Sequence, residues 1–173
     1  MVFKNIMFYI LDLIFIVIFV RASRSGSRAF KKLNEDREKA FDYIDSIPNF
    51  KSTQKDSGII SGKLDKAIAI DEENQQIALI TLQNHEYIHR IVSFDQIVST
   101  EILLDEIAIS KYSIKVRKLG LRIMIDSISE PEFMFYSIHS KDKIAKSSIV
   151  YQVGNEIIMK WHKLITSAIK KRQ

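Results

Sequence analysis

One short motif in the sequence has residue types and a spacing that could do chemistry. His85, Glu86 and His89 form the pattern His-Glu-x-x-His. On a helix, two histidines at this spacing lie on one face and can bind zinc, while the glutamate acts as the general base of a peptidase. The motif therefore predicts a zinc metallopeptidase if, and only if, residues 85–89 are helical.

The elements around the motif favour a different structure. Residues 77–82 (IALITL) are typical of a strand, and Asn84 is typical of a turn. Residues 86–92 also fit a helical periodicity, so the local structure stays open. A third zinc ligand would have to come from Glu101 or Glu106, in a segment that alternates like a half-exposed strand. We expect no catalytic residue, no cofactor and no metal site, and keep the zinc peptidase as the alternative.

Other chemical sites are not evident in the sequence. The chain has no cysteine, which excludes disulfides, thiolate metal sites and a cysteine nucleophile. No phosphate loop, dinucleotide fingerprint or nucleophile elbow is present. His139 and His162 are isolated, and the aromatic residues of the segment 133–136 fit a strand of the core better than a base-stacking surface. Binding is therefore a better expectation than catalysis.

The net charge of +5 is concentrated at one end of the 173-residue chain. Residues 1–32 contain six basic side chains and one acidic side chain, so the remaining 141 residues have 20 of each sign and are neutral. A nucleic-acid-binding domain carries its basic excess on the folded part, as a patch or a stripe. We therefore expect no nucleic-acid partner.

The basic excess adjoins an apolar run that is long enough to cross a bilayer. Residues 2–20 provide 19 positions, and twelve of the fifteen residues from 6 to 20 are Ile, Leu, Val or Phe. A membrane-spanning helix needs about 20 such residues. We predict a transmembrane anchor over 1–20. A cleaved signal peptide and a buried core helix are the alternatives, but a signal peptide would carry its positive charges before the apolar run.

The charges after the run predict the topology. Basic side chains at the membrane interface mark the cytoplasmic side, and here they are Arg21, Arg24, Arg28, Lys31 and Lys32. We expect a single-pass protein of the inner (plasma) membrane with its C-terminal part in the cytoplasm. Asp12 is an intramembrane polar residue, which either pairs with a partner helix or is tolerated in protonated form.

Residues 21–57 connect the anchor to the rest of the chain. They comprise the basic stretch, a juxtamembrane helix predicted over 30–47 and ended by Pro48, and a polar linker over 49–57. Six positions of the helix have heptad-like spacing: Phe30, Leu33, Arg37, Ala40, Ile44 and Ile47. The stripe predicts either self-association or packing against the chain's own domain.

From residue 58 onwards the sequence is typical of an antiparallel β domain. Seven runs rich in Ile, Val, Tyr and Phe are separated by turn residues, including Gly120; the runs are 67–71, 76–82, 87–92, 97–105, 113–117, 121–126 and 133–139. A final helix, with Asn155 as the expected N-cap, has one apolar face; that face consists of Ile157, Ile158, Trp161, Leu164, Ile165, Ala168 and Ile169. The fold class is α+β, mainly β.

This order of elements resembles the bacterial and phage PH-like domain proteins. The resemblance covers roughly residues 64–170 and rests on the strand series, on residues 93–102 (SFDQIVSTEI) and 120–126 (GLRIMID), and on Trp161-His162 in the final helix. It implies two near-orthogonal antiparallel sheets that form a β-barrel over 58–173, closed at one end by the C-terminal helix. It also implies an interaction or scaffolding role.

We therefore expect a membrane-tethered, non-catalytic binding or scaffolding module on the cytoplasmic face. Its partners would be the lipid bilayer and a protein, either a different chain or a second copy, received at an edge strand or at the groove between barrel and helix. Besides the zinc peptidase, a structural subunit of an envelope complex is an alternative, suggested by Asp12 and the heptad stripe.

Overall fold

Seven antiparallel strands and a long C-terminal helix dominate the part of the chain that the structure describes, residues 31–60, 63–110 and 113–170 of a computed structural model. Residues 31–45 are helical and are called α1. The strands are β1 (Gln54–Ile60), β2 (Lys63–Asp71), β3 (Gln76–Gln83), β4 (Glu86–Ser93), β5 (Ile97–Ser110), β6 (Ser113–Ile125) and β7 (Glu132–Ala145). The final helix, α2, covers Ile149–Lys170. The predicted class, α+β and mainly β, is confirmed.

The strands form two sheets, which corrects the prediction of a closed barrel. Within the described residues, β1 to β4 form one sheet in sequential order, and β5 to β7 form a second. A 3-10 turn, Phe94–Gln96, separates β4 from β5, and the Phe94 N–H donates to the carbonyl oxygen of Gln75 at 2.9 Å. This turn ends the first ladder and directs the chain into the second sheet, so no continuous ladder closes a barrel.

The main core lies between the inner faces of the two sheets and one face of α2. Its members are buried side chains from six strands and the helix; they include Ile68, Ile77, Leu79, Val116, Leu121, Phe135, Ile158, Trp161 and Ile165. The helix contributes Ile158, Trp161 and Ile165 at spacings of three and four residues, so they share one helical face. The predicted apolar face of the final helix is confirmed at these positions.

The first sheet is apolar on both faces because α1 covers its outer face. Alanines at alternate positions, Ala67 and Ala69 of β2 and Ala78 of β3, point to this side and form a second buried cluster with Ile44 and Ile80. Small side chains let the helix lie close to the sheet. Of the heptad stripe, Ala40, Ile44 and Ile47 are buried in this cluster, so this part of the stripe packs against the chain's own domain.

Two strand predictions are wrong in their boundaries. Residues 54–57, predicted as the end of a linker, belong to β1 and pair with residues 67–70 of β2. The two runs 113–117 and 121–126 form one strand, β6, and Gly120 lies inside it rather than in a turn. A Cβ atom on Gly120 would lie 2.5 Å from Cδ1 of Tyr136, so glycine is required there by the close approach of β7, not by a change of direction.

The start of α2 also differs from the prediction. The helix begins at Ile149, and the hydroxyl of Ser148 accepts a hydrogen bond from the backbone N–H of Tyr151 at 3.3 Å. Ser148 therefore caps the helix, and Asn155 lies within it. The first turns of α2 do not follow the amphipathic pattern of the rest of the helix, since Ile149, Val150 and Val153 are exposed.

The compact unit that contains both sheets starts at Arg37, earlier than the expected domain start at residue 58. It includes the second half of α1 because that half contributes to a buried cluster. The predicted anchor, 1–20, lies outside the described residues. None of the described helices has the length and hydropathy of a membrane span.

Candidate functional site

Strand β5 forms one edge of the second sheet. In the described part of the chain, β5 forms a ladder with β6 only. A register shift between Ile97 and Ser99 pushes Val98 out of the ladder, and its side chain is exposed. An edge strand presents backbone N–H and C=O groups that another chain can pair with. The bulge limits such pairing to the segment after Val98.

The helix α2 runs alongside this strand and is fixed to it by hydrogen bonds. The Thr100 hydroxyl lies 2.9 Å from Nδ1 of His162 and 3.2 Å from the hydroxyl of Thr166. These three side chains are part-buried. The contact holds the strand and the helix at a fixed separation, so the surface between them is preformed.

Apolar side chains border this contact on both elements. Leu104 lies on the same strand face as Thr100, since side chains alternate along a strand, and it is 47% exposed. Met159, one turn before His162 on α2, is 49% exposed. A depression of about 490 Å³ follows this side of α2. We call the surface formed by Leu104, Thr100, Met159 and His162 the β5–α2 surface.

The charge next to the β5–α2 surface is positive. Lys163 and Lys170 line the same depression, and no carboxylate of the described residues forms an ion pair with either. Lys160, by contrast, donates to Oδ2 of Asp56 at 2.8 Å. The unpaired lysines favour a partner segment that carries carboxylates beside apolar side chains.

A second groove, of about 590 Å³, lies at the other side of the C-terminal half of α2. Apolar atoms of Ile70, Phe94 and Leu164 line it together with the acidic residues Glu72 and Asp95. Its rim includes the β2–β3 turn, whose residue Gln75 has a positive φ of 54°. The groove is a mixed polar and apolar cleft without a cluster of reactive groups.

The buried carboxylate nearest this groove is Asp71, and it is structural. Burial raises the pKa of Asp71, but hydrogen bonds from the backbone N–H groups of Lys51 and Asn74, from the Asn74 amide and from the Glu73 N–H together lower it. A carboxylate that accepts several N–H bonds is held in its charged form. Asp71 thus fixes the turn between β2 and β3 and the segment before β1.

The pKa values of a half-buried pair on β2, Asp65 and Lys66, are shifted toward the neutral forms, whereas the pKa of Asp71 is shifted toward its charged form. Burial raises the pKa of Asp65 and lowers the pKa of Lys66, while each partner's charge partly offsets the effect. The Lys66 ammonium lies 4.7 Å from the centre of the Phe133 ring. The neighbouring carboxyl oxygen Oδ1 of Asp65 is buried without a hydrogen-bond partner. This arrangement weakens both charges but assembles no nucleophile with a base.

The His-Glu-x-x-His motif is in a turn and a strand. His85 lies in the β3–β4 turn with a φ of 68°, and β4 begins at Glu86. Nδ1 of His89 lies 2.7 Å from the Tyr43 hydroxyl of α1. The two histidines do not share a helical face, which the zinc chemistry of this motif requires. Among the described residues, no three His, Asp or Glu side chains cluster closely enough to hold a metal ion.

The predicted membrane-interface residues are mostly outside the described part of the chain. Asp12, Arg21, Arg24 and Arg28 lie there. Lys31 and Lys32 are exposed in the first turn of the described helix, and Lys31 lies 3.9 Å from Glu35.

The β5–α2 surface was not identified residue by residue from the sequence. Alternation over 98–104 predicted a half-buried strand, but Val98 and Leu104 are largely exposed. The bulge at Val98 has no signal in the sequence, and edge position depends on the topology. The contact between Thr100 and His162 joins residues 62 positions apart, so no local pattern could reveal it.

No protein-family model, curated protein or solved structure matches the chain.

Proposed function

We propose that the protein is a membrane-tethered, non-catalytic binding module with a PH-like domain on the cytoplasmic face of the membrane. The PH-like assignment is supported by the order of four strands, three strands and one C-terminal helix that packs on the core. The tether is supported by the apolar run at 2–20 and by the basic residues that follow it.

The observation that carries the proposal is the β5–α2 surface. The edge strand carries Leu104 and the helix bonded to it carries Met159, each about half exposed, so main-chain hydrogen bonds and apolar contact are offered together. This combination is typical of domains that bind an extended segment of a partner. The lysines of α2 favour an acidic segment.

Site-specific photo-crosslinking in the native membrane tests the proposal. A photoreactive amino acid replaces Leu104 or Met159, and a matched control replaces Ile128, which is fully exposed in the β6–β7 loop. We expect the same discrete crosslinked product from both surface positions and none from Ile128. The product should disappear when Lys163 and Lys170 are both changed to Glu. Equal crosslinking at Ile128, or none at Leu104 and Met159, would contradict the proposal.

The two alternative functions have less support. The zinc peptidase requires a helical motif, whereas Glu86–Ser93 is a strand. The envelope-subunit alternative relied partly on the heptad stripe, and three of its positions, Ala40, Ile44 and Ile47, are buried inside the chain's own unit. No described residue favours either function over partner binding.

A further inference from the structure

The folded unit carries its charge unevenly, although its sequence is close to neutral. Strands β5 and β7 and the turn before α2 end at one end of the second sheet, where Lys146 N–H donates to the Ile114 carbonyl oxygen at 3.0 Å. The 3-10 turn, the β2–β3 turn and the β6–β7 loop lie at the opposite end, where Asp126 N–H donates to the Gln96 carbonyl oxygen at 2.7 Å.

The first of these ends is basic. Lys115, Lys118 and Lys143 lie on β6 and β7 near it, and no carboxylate of the described residues forms an ion pair with them. Lys146 is paired, since its ammonium lies 2.6 Å from Oε1 of Glu106. The opposite end carries Glu72, Asp95 and Asp126, together with Glu73 and Glu130, which pair with Lys51 and Arg90.

The basic end also exposes aliphatic side chains. Ile149, Val150 and Val153 of the first turns of α2 are 74%, 54% and 52% exposed. Ile109 and Ile114, near the tip of the β5–β6 hairpin, are 53% and 38% exposed. These five exposed Ile and Val side chains are not part of the core, which is formed by other residues. We call this set of five aliphatic residues and Lys115, Lys118 and Lys143 the basic apolar end.

We propose that the basic apolar end docks on an anionic lipid surface. Aliphatic side chains at an interface gain by entering the boundary between head groups and acyl chains, and lysines near an anionic leaflet are attracted to its surface charge. The acidic end would be repelled by the same surface, so the charge asymmetry orients the unit. An acidic protein could match the lysines as well, but five aliphatic side chains spread over a strand tip and a helix start suit a continuous lipid surface better than the recognition of one side chain.

The inference rests on the tether of the proposed function and not on a partner at the β5–α2 surface. A docked basic apolar end would restrict how the tethered unit can turn relative to the membrane. It would hold the acidic end, with its groove lined by Glu72 and Asp95, away from the lipid.

The test uses the full chain reconstituted in lipid nanodiscs. Because the chain contains no cysteine, Ile149→Cys introduces a single site for an environment-sensitive fluorophore, and Ile128→Cys at the acidic end is the matched control. We expect at least a twofold rise in emission, with a blue shift, for the label at 149 when phosphatidylglycerol is added to phosphatidylcholine discs. The label at 128 should not respond. Changing Lys115, Lys118 and Lys143 together to Glu should abolish the response.

Several outcomes would overturn the inference. One is an emission at 149 that is independent of lipid charge; another is an equal response at 128. A label that is already shielded in detergent without lipid would indicate a protein contact and would overturn it as well. Resistance to extraction from the discs by high salt measures the tether separately, because salt weakens electrostatic docking but does not extract an inserted helix. A chain that resists extraction without the change at 149 refutes only the docking, and one that shows the change but is extracted refutes only the tether. A chain that does neither refutes both.

Discussion

Asp56 is a polar residue that stabilises the core by accepting hydrogen bonds from the C-terminal helix. It lies on β1, and one carboxylate oxygen, Oδ2, accepts hydrogen bonds from Nε1 of Trp161 and from Nζ of Lys160, both at 2.8 Å. The indole ring of Trp161 is fully buried, so its N–H needs an acceptor inside the fold. The segment around Asp56 was predicted as a linker because its sequence is polar. The hydrogen bonds from Asp56 to a distant helix, which explain a polar residue in this strand, have no local signal in the sequence.

Replacing Asp56 by Ala should destabilise the domain by about 2 kcal/mol, since a buried donor left without an acceptor costs about 1–3 kcal/mol. Trp161 is the only tryptophan, so its fluorescence in urea titrations of the full chain in detergent reports this core selectively. Asp105→Ala is the matched control: Asp105 forms an exposed pair with Arg117, and such pairs contribute about 0–1 kcal/mol. Equal losses in the two variants would show that the indole hydrogen bond is unimportant.

Asp71 should make the protein sensitive to acid. Its pKa in the fold is below the ordinary value because its hydrogen bonds outweigh the effect of burial. A carboxyl with a lowered folded pKa stabilises the fold above its unfolded pKa, near 4, and the stabilisation is lost as the pH falls through the folded value. Asp71→Asn should therefore lower the urea midpoint at pH 7, and the midpoint should change less than that of the wild type between pH 5 and 2.

Asp65→Asn provides the opposite control for this pH dependence. Burial raises the pKa of Asp65, so the folded state takes up a proton there more readily than the unfolded chain and gains stability on acidification. Removing that carboxyl should make the acid loss steeper than in the wild type. Parallel pH profiles for the wild type and both variants would refute the assignment of these two residues.

At the scale of elements, the periodicity of apolar residues predicted which side chains face the core. It did not predict features that depend on contacts between residues far apart in the sequence. The apolar face of α2 was predictable because Ile158, Trp161 and Ile165 repeat at helical spacing. The start of α2 was not, because its first turn is exposed. Gly120 was predicted as a turn, since the close approach of Tyr136 that requires glycine comes from a strand far along the chain. The candidate site could not be predicted either, because the edge position of β5 and its contact with α2 both depend on how distant parts of the chain are arranged.

The helix α1 illustrates how an element predicted as a connector belongs to the core. Its face with Ala40 and Ile44 covers the outer side of the first sheet. We expect Ile44→Ala to cost about 3 kcal/mol, within the range of about 2–5 kcal/mol for removing a buried isoleucine. Ile128→Ala, at a fully exposed position, should leave the urea midpoint unchanged. If Ile44→Ala behaved like this control, the helix would be a connector after all.

At the scale of the whole molecule, we expect the charge to have two separate roles. The excess of residues 1–32 accompanies the apolar run and predicts orientation in the membrane, as the positive-inside rule states. The neutral total of the remaining chain hides a basic end and an acidic end, because composition sums over positions that the fold separates. The neutral total of the sequence therefore could not reveal the asymmetry.

The orientation can be tested with single cysteines in the otherwise cysteine-free chain. Ile128→Cys, in the folded unit, should react with a membrane-impermeant maleimide in inverted vesicles and not in intact cells, whereas Asn5→Cys should show the reverse. If Arg21, Arg24 and Arg28 hold the C-terminal side in the cytoplasm, as the positive-inside rule predicts, changing all three to Glu should increase labelling of the cysteine at 128 from outside. Labelling of this cysteine from outside in the parent chain would contradict the topology. Release of the protein from the membrane, with the apolar segment at its N-terminus removed, would instead identify a cleaved signal peptide.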